Sequence, residues 1–111
     1  MSDFCSLEKE FLDVREFLVA IGDEKRQSII IKLMAEDDCG GLQVTDLIEA
    51  TSLSRPAISH HLKILKNAKI IDYRREGTKN FYYFSRELSE VKKLQKLLET
   101  ITQKVENEAT T

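Results

Sequence analysis

The 111-residue sequence predicts one mostly α-helical domain carrying a single small β-hairpin, in the order α-α-α-α-β-β-α. Apolar residues recur at alternating spacings of 3 and 4 over most of the chain, as they do along one face of a helix. The spacing changes to 2, among β-branched and aromatic residues, only between 70 and 84. Gly and Pro, at 4 and 1, are too sparse for the many turns of a β-sandwich or barrel. The length suits one domain, residues 1–111, because two halves would each be too small to hold a core.

Phe4, Leu7, Phe11, Val14, Leu18 and Ile21, at spacings of 3, 4, 3, 4 and 3, predict one helix over about 3–21. Ser2 or Asp3 caps it and Gly22 ends it. A second helix opens near Asp23, buries Ile29, Ile30, Leu33 and Met34, and stops in Asp37-Asp38-Cys39-Gly40-Gly41. Leu42 to Val44 reads as a short extended piece, after which Thr45 caps a short helix turning Leu47 and Ile48 inward. Thr51 to Ser54 is a turn. Ser54-Arg55-Pro56 then opens the next helix, because Ser accepts from first-turn amides and Pro sits where its missing N–H costs nothing. On that helix Ile58, Leu62 and Leu65 face the core, and Arg55, Ser59, Lys63 and Lys66 face away. Ile70 to Arg75 and Asn80 to Phe84 form a hairpin around Glu76-Gly77-Thr78-Lys79, whose alternation exposes either Phe81 and Tyr83 or Tyr82 and Phe84. A last helix over about 88–106 carries Val91, Leu94, Leu98, Ile101 and Val105, and the tail Asn107 to Thr111 is expected to fray.

No apolar run approaches the ~18 residues of a membrane span, so no membrane partner is expected. The start Met-Ser-Asp-Phe-Cys is acidic, unlike a signal peptide, and two cysteines without one point to a reducing cytoplasm. The net charge of −2 hides a division along the chain. Residues 1–50 carry 5 basic and 12 acidic side chains, whereas 51–86 carry 8 basic and 2 acidic, a local net of +6. A concentrated positive field attracts polyanions whatever the total charge.

Two helices joined by a tight turn at about 45–67, followed by a hairpin at about 70–84, make a helix-turn-helix with a wing. A helix that enters the major groove must carry its donors near its N-terminus. Arg55 can read guanine O6 and N7, Ser59 and His60 can each serve a base or a phosphate, and Lys63 lies on the same face. Ser54 and the first-turn amides, that of Ala57 among them, suit a phosphate. Arg74, Arg75 and Lys79 put charge on a wing that can lie along the backbone or minor groove, with Glu76 opposing deep insertion. No acid, base and nucleophile come together and no Gly-rich phosphate loop exists, so no catalytic residue, enzyme activity or cofactor is expected. The first and last helices, about 3–21 and 88–106, carry more apolar seam than one small domain covers. Phe4, Leu7, Phe11, Leu94, Leu98 and Ile101 are therefore expected at a homodimer interface.

The run Leu53-Ser54-Arg55-Pro56-Ala57-Ile58-Ser59-His60-His61-Leu62-Lys63-Ile64-Leu65, preceded by Ile21-Gly22-Asp23-Glu24-Lys25-Arg26 and Val44-Thr45-Asp46-Leu47, resembles the arsenic-repressor-like (ArsR/SmtB) winged-helix regulators. The wing Arg74-Arg75-Glu76-Gly77 followed by Phe81-Tyr82-Tyr83-Phe84 continues the likeness. The resemblance implies a homodimeric repressor of a near-palindromic double-stranded DNA operator, relieved by an effector. Lys69 departs from it, standing where the family usually has Gly before the first wing strand.

Many relatives release DNA on binding metal. The family's cysteine positions before the recognition helix are held here by Gln43 to Asp46, none of them Cys, and residues 88–106 contain no His. Adjacent helical residues diverge by ~100°, so His60 and His61 cannot share one ion, and no metal site is expected. His61 reads as a packing residue, Cys5 as packed beside the first seam and Cys39 as a small loop residue. Two other readings stand beside DNA repression: a thiol-redox-responsive repressor using Cys5 and Cys39, and a winged helix serving only protein interaction.

Overall fold

The computed structural model describes residues 2–37 and 40–109, with the side chains of 6–37 and 40–108. The expectations for the Ser2 and Asp3 caps, for Phe4 and Cys5, and for Cys39 lie outside the described residues. The chain runs α1 (Ser2–Asp13), α2 (Arg15–Ile21), α3 (Glu24–Ala35), α4 (Val44–Thr51), α5 (Arg55–Asn67), β1 (Ile71–Glu76), β2 (Lys79–Phe84) and α6 (Ser89–Ala109). Fold class and element order match the expectation, with the first helix divided in two.

That division falls at Val14, whose backbone (φ −111°, ψ 9°) leaves the helical region. Its N–H donates to Phe11 O at 3.3 Å, and its own carbonyl accepts from Leu18 at 2.9 Å to start α2. The bend redirects the seam. Val14, Phe17 and Ala20 go inward, while Phe11, Leu12 and Val19 stay exposed at 45%, 61% and 62%.

Asp23 caps α3 by accepting from Arg26 N–H at 3.0 Å, and Ile29 and Leu33 are buried as expected. Met34 is not: it stands exposed at the outer edge of α3, as does Ile31. Gln43, not Thr45, precedes α4, and the Asp46 carboxylate turns back to accept Gln43 N–H at 2.8 Å. Leu42 is extended as expected and bridges to Tyr82, with both backbone bonds at 2.8 Å. That bridge requires glycine before it. Gly41 has φ +111°, and a Cβ there would stand 3.0 Å from Phe81 Cβ and 3.1 Å from Tyr82 O.

Ile58, Leu62 and Leu65 of α5 are buried with Phe17, Ala20, Ile29, Leu33, Leu47, Ile70 and Ile71 in the main hydrophobic core. The end of α5 is closed by two bonds, Lys69 N–H to Lys66 O at 2.9 Å and Ile70 N–H to Leu65 O at 3.0 Å. This is a Schellman cap, and Lys69 holds its left-handed position with φ +64°.

β1 and β2 pair antiparallel from Ile71↔Phe84 to Glu76↔Lys79, leaving a two-residue turn of Gly77 and Thr78, tighter than the four residues expected. Gly77 supplies its φ of +65°. None of the four aromatics of β2 is exposed: Tyr82 and Phe84 pack on the core, and the Arg74 guanidinium covers Phe81 at 4.9 Å.

α6 extends through Ala109, past the expected end. Its buried residue is Leu97, one position before Leu98, which is 54% exposed. α1 packs along α6, where Thr100 Oγ1 donates to Glu10 Oε1 at 3.0 Å. The two project from the body, so the molecule measures 58 × 24 × 24 Å with a radius of gyration of 17.2 Å. A compact chain of this length would have about 13 Å.

Candidate nucleic-acid interface

Thr51 organises the turn between α4 and α5. Its hydroxyl donates to Leu47 O at 2.7 Å and accepts Leu53 N–H at 3.3 Å, while Ser52 takes a left-handed conformation, φ 62°. Ser54 caps α5 by accepting Ala57 N–H at 3.3 Å. That bond occupies the amide which could have met a phosphate, and Ala57 itself is half-buried. With Pro56 lacking an N–H, Arg55 N–H remains from the first turn.

The outward face of α5 presents Ser54, Arg55, Ser59, His60, Lys63 and Lys66, all exposed. Among the described residues the side chains of Arg55, Lys63 and Lys79 make no hydrogen bond, ion pair or ring contact. Lys66 lies over the Tyr73 ring at 5.2 Å, joining the helix to the wing.

Arg55 and Lys79 come together. A cleft of about 190 Å³ between the start of α4, the start of α5 and the wing tip is lined by both, with Gln43, Val44, Thr45, Thr78 and Asn80. The N-terminus of α5 and the wing tip thus form one continuous polar, cationic surface. The two wing arginines are engaged within the fold. Arg74 donates to Glu76 Oε2 at 2.8 Å and to the Gly40 carbonyl, pinning the loop before Leu42 to the wing. Arg75 donates to Gly77 O at 3.1 Å, bracing the turn.

Sequence reasoning did not single out Gln43, Thr45, Thr78 or Asn80, because their approach depends on the tertiary meeting of α4 with the wing tip. It also missed Arg26, whose guanidinium donates to Ala20 O at 2.7 Å, to Val19 O at 3.1 Å and to His61 Nδ1 at 3.2 Å. His61 is half-buried as a packing residue. Burial pushes its pKa below the ordinary value of 6.5, opposed by Asp23 and reinforced by Arg26. The Asp23 carboxyl is held below its usual range, first by the backbone N–H of Arg26.

The donor set for metal does not fit the positions that the resemblance points to. Gln43 to Asp46 offers one carboxylate, already spent on Gln43 N–H, and α6 contains no His. No helix among the described residues is long and apolar enough to cross a membrane.

Residues 24–73 match the family model described as "Bacterial regulatory protein, arsR family". Over 68 residues the chain is 47% identical to an uncharacterized HTH-type transcriptional regulator of Methanocaldococcus jannaschii, covering 61% of this chain and 73% of that one. It is 41% identical over 66 residues to the transcriptional repressor SdpR of Bacillus subtilis, covering 60% and 67%. An ArsR-like transcriptional regulator from Rhodococcus sp. RHA1 superposes with a TM-score of 0.74 over 90% of this chain and 86% of its own, a likeness of fold at 21% identity.

Proposed function

The chain belongs to the arsR family of bacterial regulatory proteins, transcriptional regulators and not enzymes, and from that premise we propose that it is a homodimeric, sequence-specific repressor of a near-palindromic DNA operator. The observation that carries this reading is the cleft joining Arg55 to Lys79, flanked by the exposed Ser59, His60 and Lys63. A groove-entering helix needs uncommitted donors at its N-terminus, and Arg55 is such a donor. Ser54, Lys63 and Lys79 meet phosphates, which set register without reading sequence. Arg74 and Arg75 serve by holding the wing, with Arg74 tied to Gly40 and Glu76.

Dimerisation is supported by the elongated shape and by the apolar side chains left outside it. Phe11, Leu98 and Val105 are exposed on α1 and α6, and Leu7, Leu94 and Ile101 are half-buried beside them. A two-fold contact of these helices covers that seam and sets two recognition helices on one side of the DNA. Regulation by the family's usual metal ions is not part of this reading, because the ligand types are missing at the matching positions. The site of action is the cytoplasm.

Enrichment of bound duplexes from a random-sequence pool tests the reading. The expected product contains two inverted half-sites whose centres lie about one helical turn, ~34–36 Å, or a multiple of it, apart. Failure to enrich any duplex, or enrichment of a single asymmetric half-site, contradicts it.

A further inference from the structure

α5 meets its neighbours almost wholly through apolar side chains. Ile58, Leu62 and Leu65 are buried against the core, and apolar burial is non-directional, so it sets which face turns inward but supplies no directional bond. Among the described residues one side-chain hydrogen bond joins α5 to the α2–α3 pair: Arg26 Nη1 to His61 Nδ1, 3.2 Å. Arg26 is well placed to act as an anchor. Its backbone N–H is held by Asp23 at 3.0 Å, and its other guanidinium donors close the last carbonyls of α2, Ala20 O at 2.7 Å and Val19 O at 3.1 Å. One side chain therefore links the end of the α1–α2 segment, the start of α3 and the middle of the recognition helix.

We propose that Arg26 is a positioning residue for DNA binding, seating α5 through the neutral His61 ring, and that protonating His61 releases the seat and weakens binding to DNA. The proposal rests on the DNA-binding reading above. A guanidinium only donates, so Nδ1 accepts and the ring proton sits on Nε2. Protonation turns Nδ1 into a donor facing a donor, and sets two cations against each other.

The charged groups facing His61 are Asp23, which favours the proton, and Arg26, His60 and Lys25, which oppose it, as burial does more strongly. The folded-state pKa therefore lies below the free value of about 6.5. The latch is complete above that value and is lost as pH falls through the lower, folded one. His60 stands next to His61 in sequence, exposed on the outward face that meets DNA in this reading. The two adjacent histidines must be separated for the effect to be read.

Affinity for a duplex enriched by the wild-type protein at pH 8 is measured from pH 8 to 5.5, with His60→Gln present in every protein. The His60→Gln protein should lose about tenfold in affinity over that range, the scale of one hydrogen bond between a neutral and a charged group. Adding His61→Asn, whose Oδ1 accepts near the Nδ1 position but does not titrate, should leave neutral-pH affinity within about threefold and flatten the acid loss. Adding Arg26→Gln should weaken binding at pH 8 and also flatten the profile. An acid loss unchanged by His61→Asn, or full affinity at pH 8 with Arg26→Gln, overturns the proposal. NMR titration of the His61 ring without DNA reads the coupling separately. Its pKa should lie below 6.5 and rise in Arg26→Gln, and a value that Arg26→Gln does not move overturns the proposal. If no duplex is enriched, the DNA-binding reading falls while this titration still decides the latch.

Discussion

Replacing Lys69 by Gly should stabilise the domain without touching its core. Lys69 holds φ +64° at the left-handed position of the cap that ends α5, and it stands exposed with no hydrogen bond or ion pair of its side chain among the described residues. An L-residue in that conformation costs about 1–2 kcal/mol. Glycine removes that cost but loses about 0.5–1 kcal/mol more chain entropy on folding, leaving a net gain of about 0.5–1 kcal/mol. The unfolding entropy of a 111-residue chain, at about 2.1 cal/mol/K per residue, converts this into a rise in Tm of about 2–4 °C. Scanning calorimetry at one fixed protein concentration reads it, since association shifts Tm by mass action. Lys69→Ala is the control: it removes the same charge and stem but keeps the backbone problem, and should stay within about 0.5 kcal/mol of wild type. A Gly variant no more stable than the Ala variant would refute the argument and place Lys69 in a conformation that costs nothing.

Other consequences are equally open to measurement. On reduced protein, stoichiometric Zn²⁺, Cd²⁺ or arsenite should leave duplex affinity unchanged in titrations, and a tenfold loss, ~1.4 kcal/mol, would refute the reading of the donor set. Sedimentation at micromolar concentration should give a particle twice the 12.8 kDa chain mass, and a persistent monomer would contradict the dimer. Lys79→Ala should lower the slope of log K against log salt by about 1 per protomer, as loss of one phosphate contact does. Arg74→Ala should leave that slope alone and lower the urea midpoint, because Arg74 is bound to Gly40 and Glu76; equal slope changes for the two would put Arg74 on the phosphates.

The reading element of the fold was legible because several local signals agreed on it. Ser54 before Arg55-Pro56 marks a helix start by capping chemistry, Ile58, Leu62 and Leu65 mark its inner face, and the change to a spacing of 2 marks the wing. All three are properties of short stretches of chain, and agreement between levels is what specifies structure. The bend at Val14 was invisible because the 3-and-4 spacing passes through one non-helical residue without a break. Leu97 and Leu98 illustrate a similar degeneracy: both lie three or four residues from Leu94 and Ile101, so spacing alone does not decide which is buried. Arg74 looked like a free wing cation, and its engagement depends on the Gly40 loop, 34 residues away. The pairing of Arg26 with His61 spans 35 residues, and no local pattern announces it.

The central claim is that Arg55 reads a base in the major groove while its neighbours hold the backbone. Equilibrium binding of Arg55→Ala to the enriched duplex and to an unselected duplex of equal length, at one salt concentration, tests it most directly. The expected result is a loss of about 1–3 kcal/mol on the enriched duplex, little loss on the unselected one, and relaxed preference at one base pair per half-site. Equal losses on both duplexes would make Arg55 a phosphate anchor and contradict the claim.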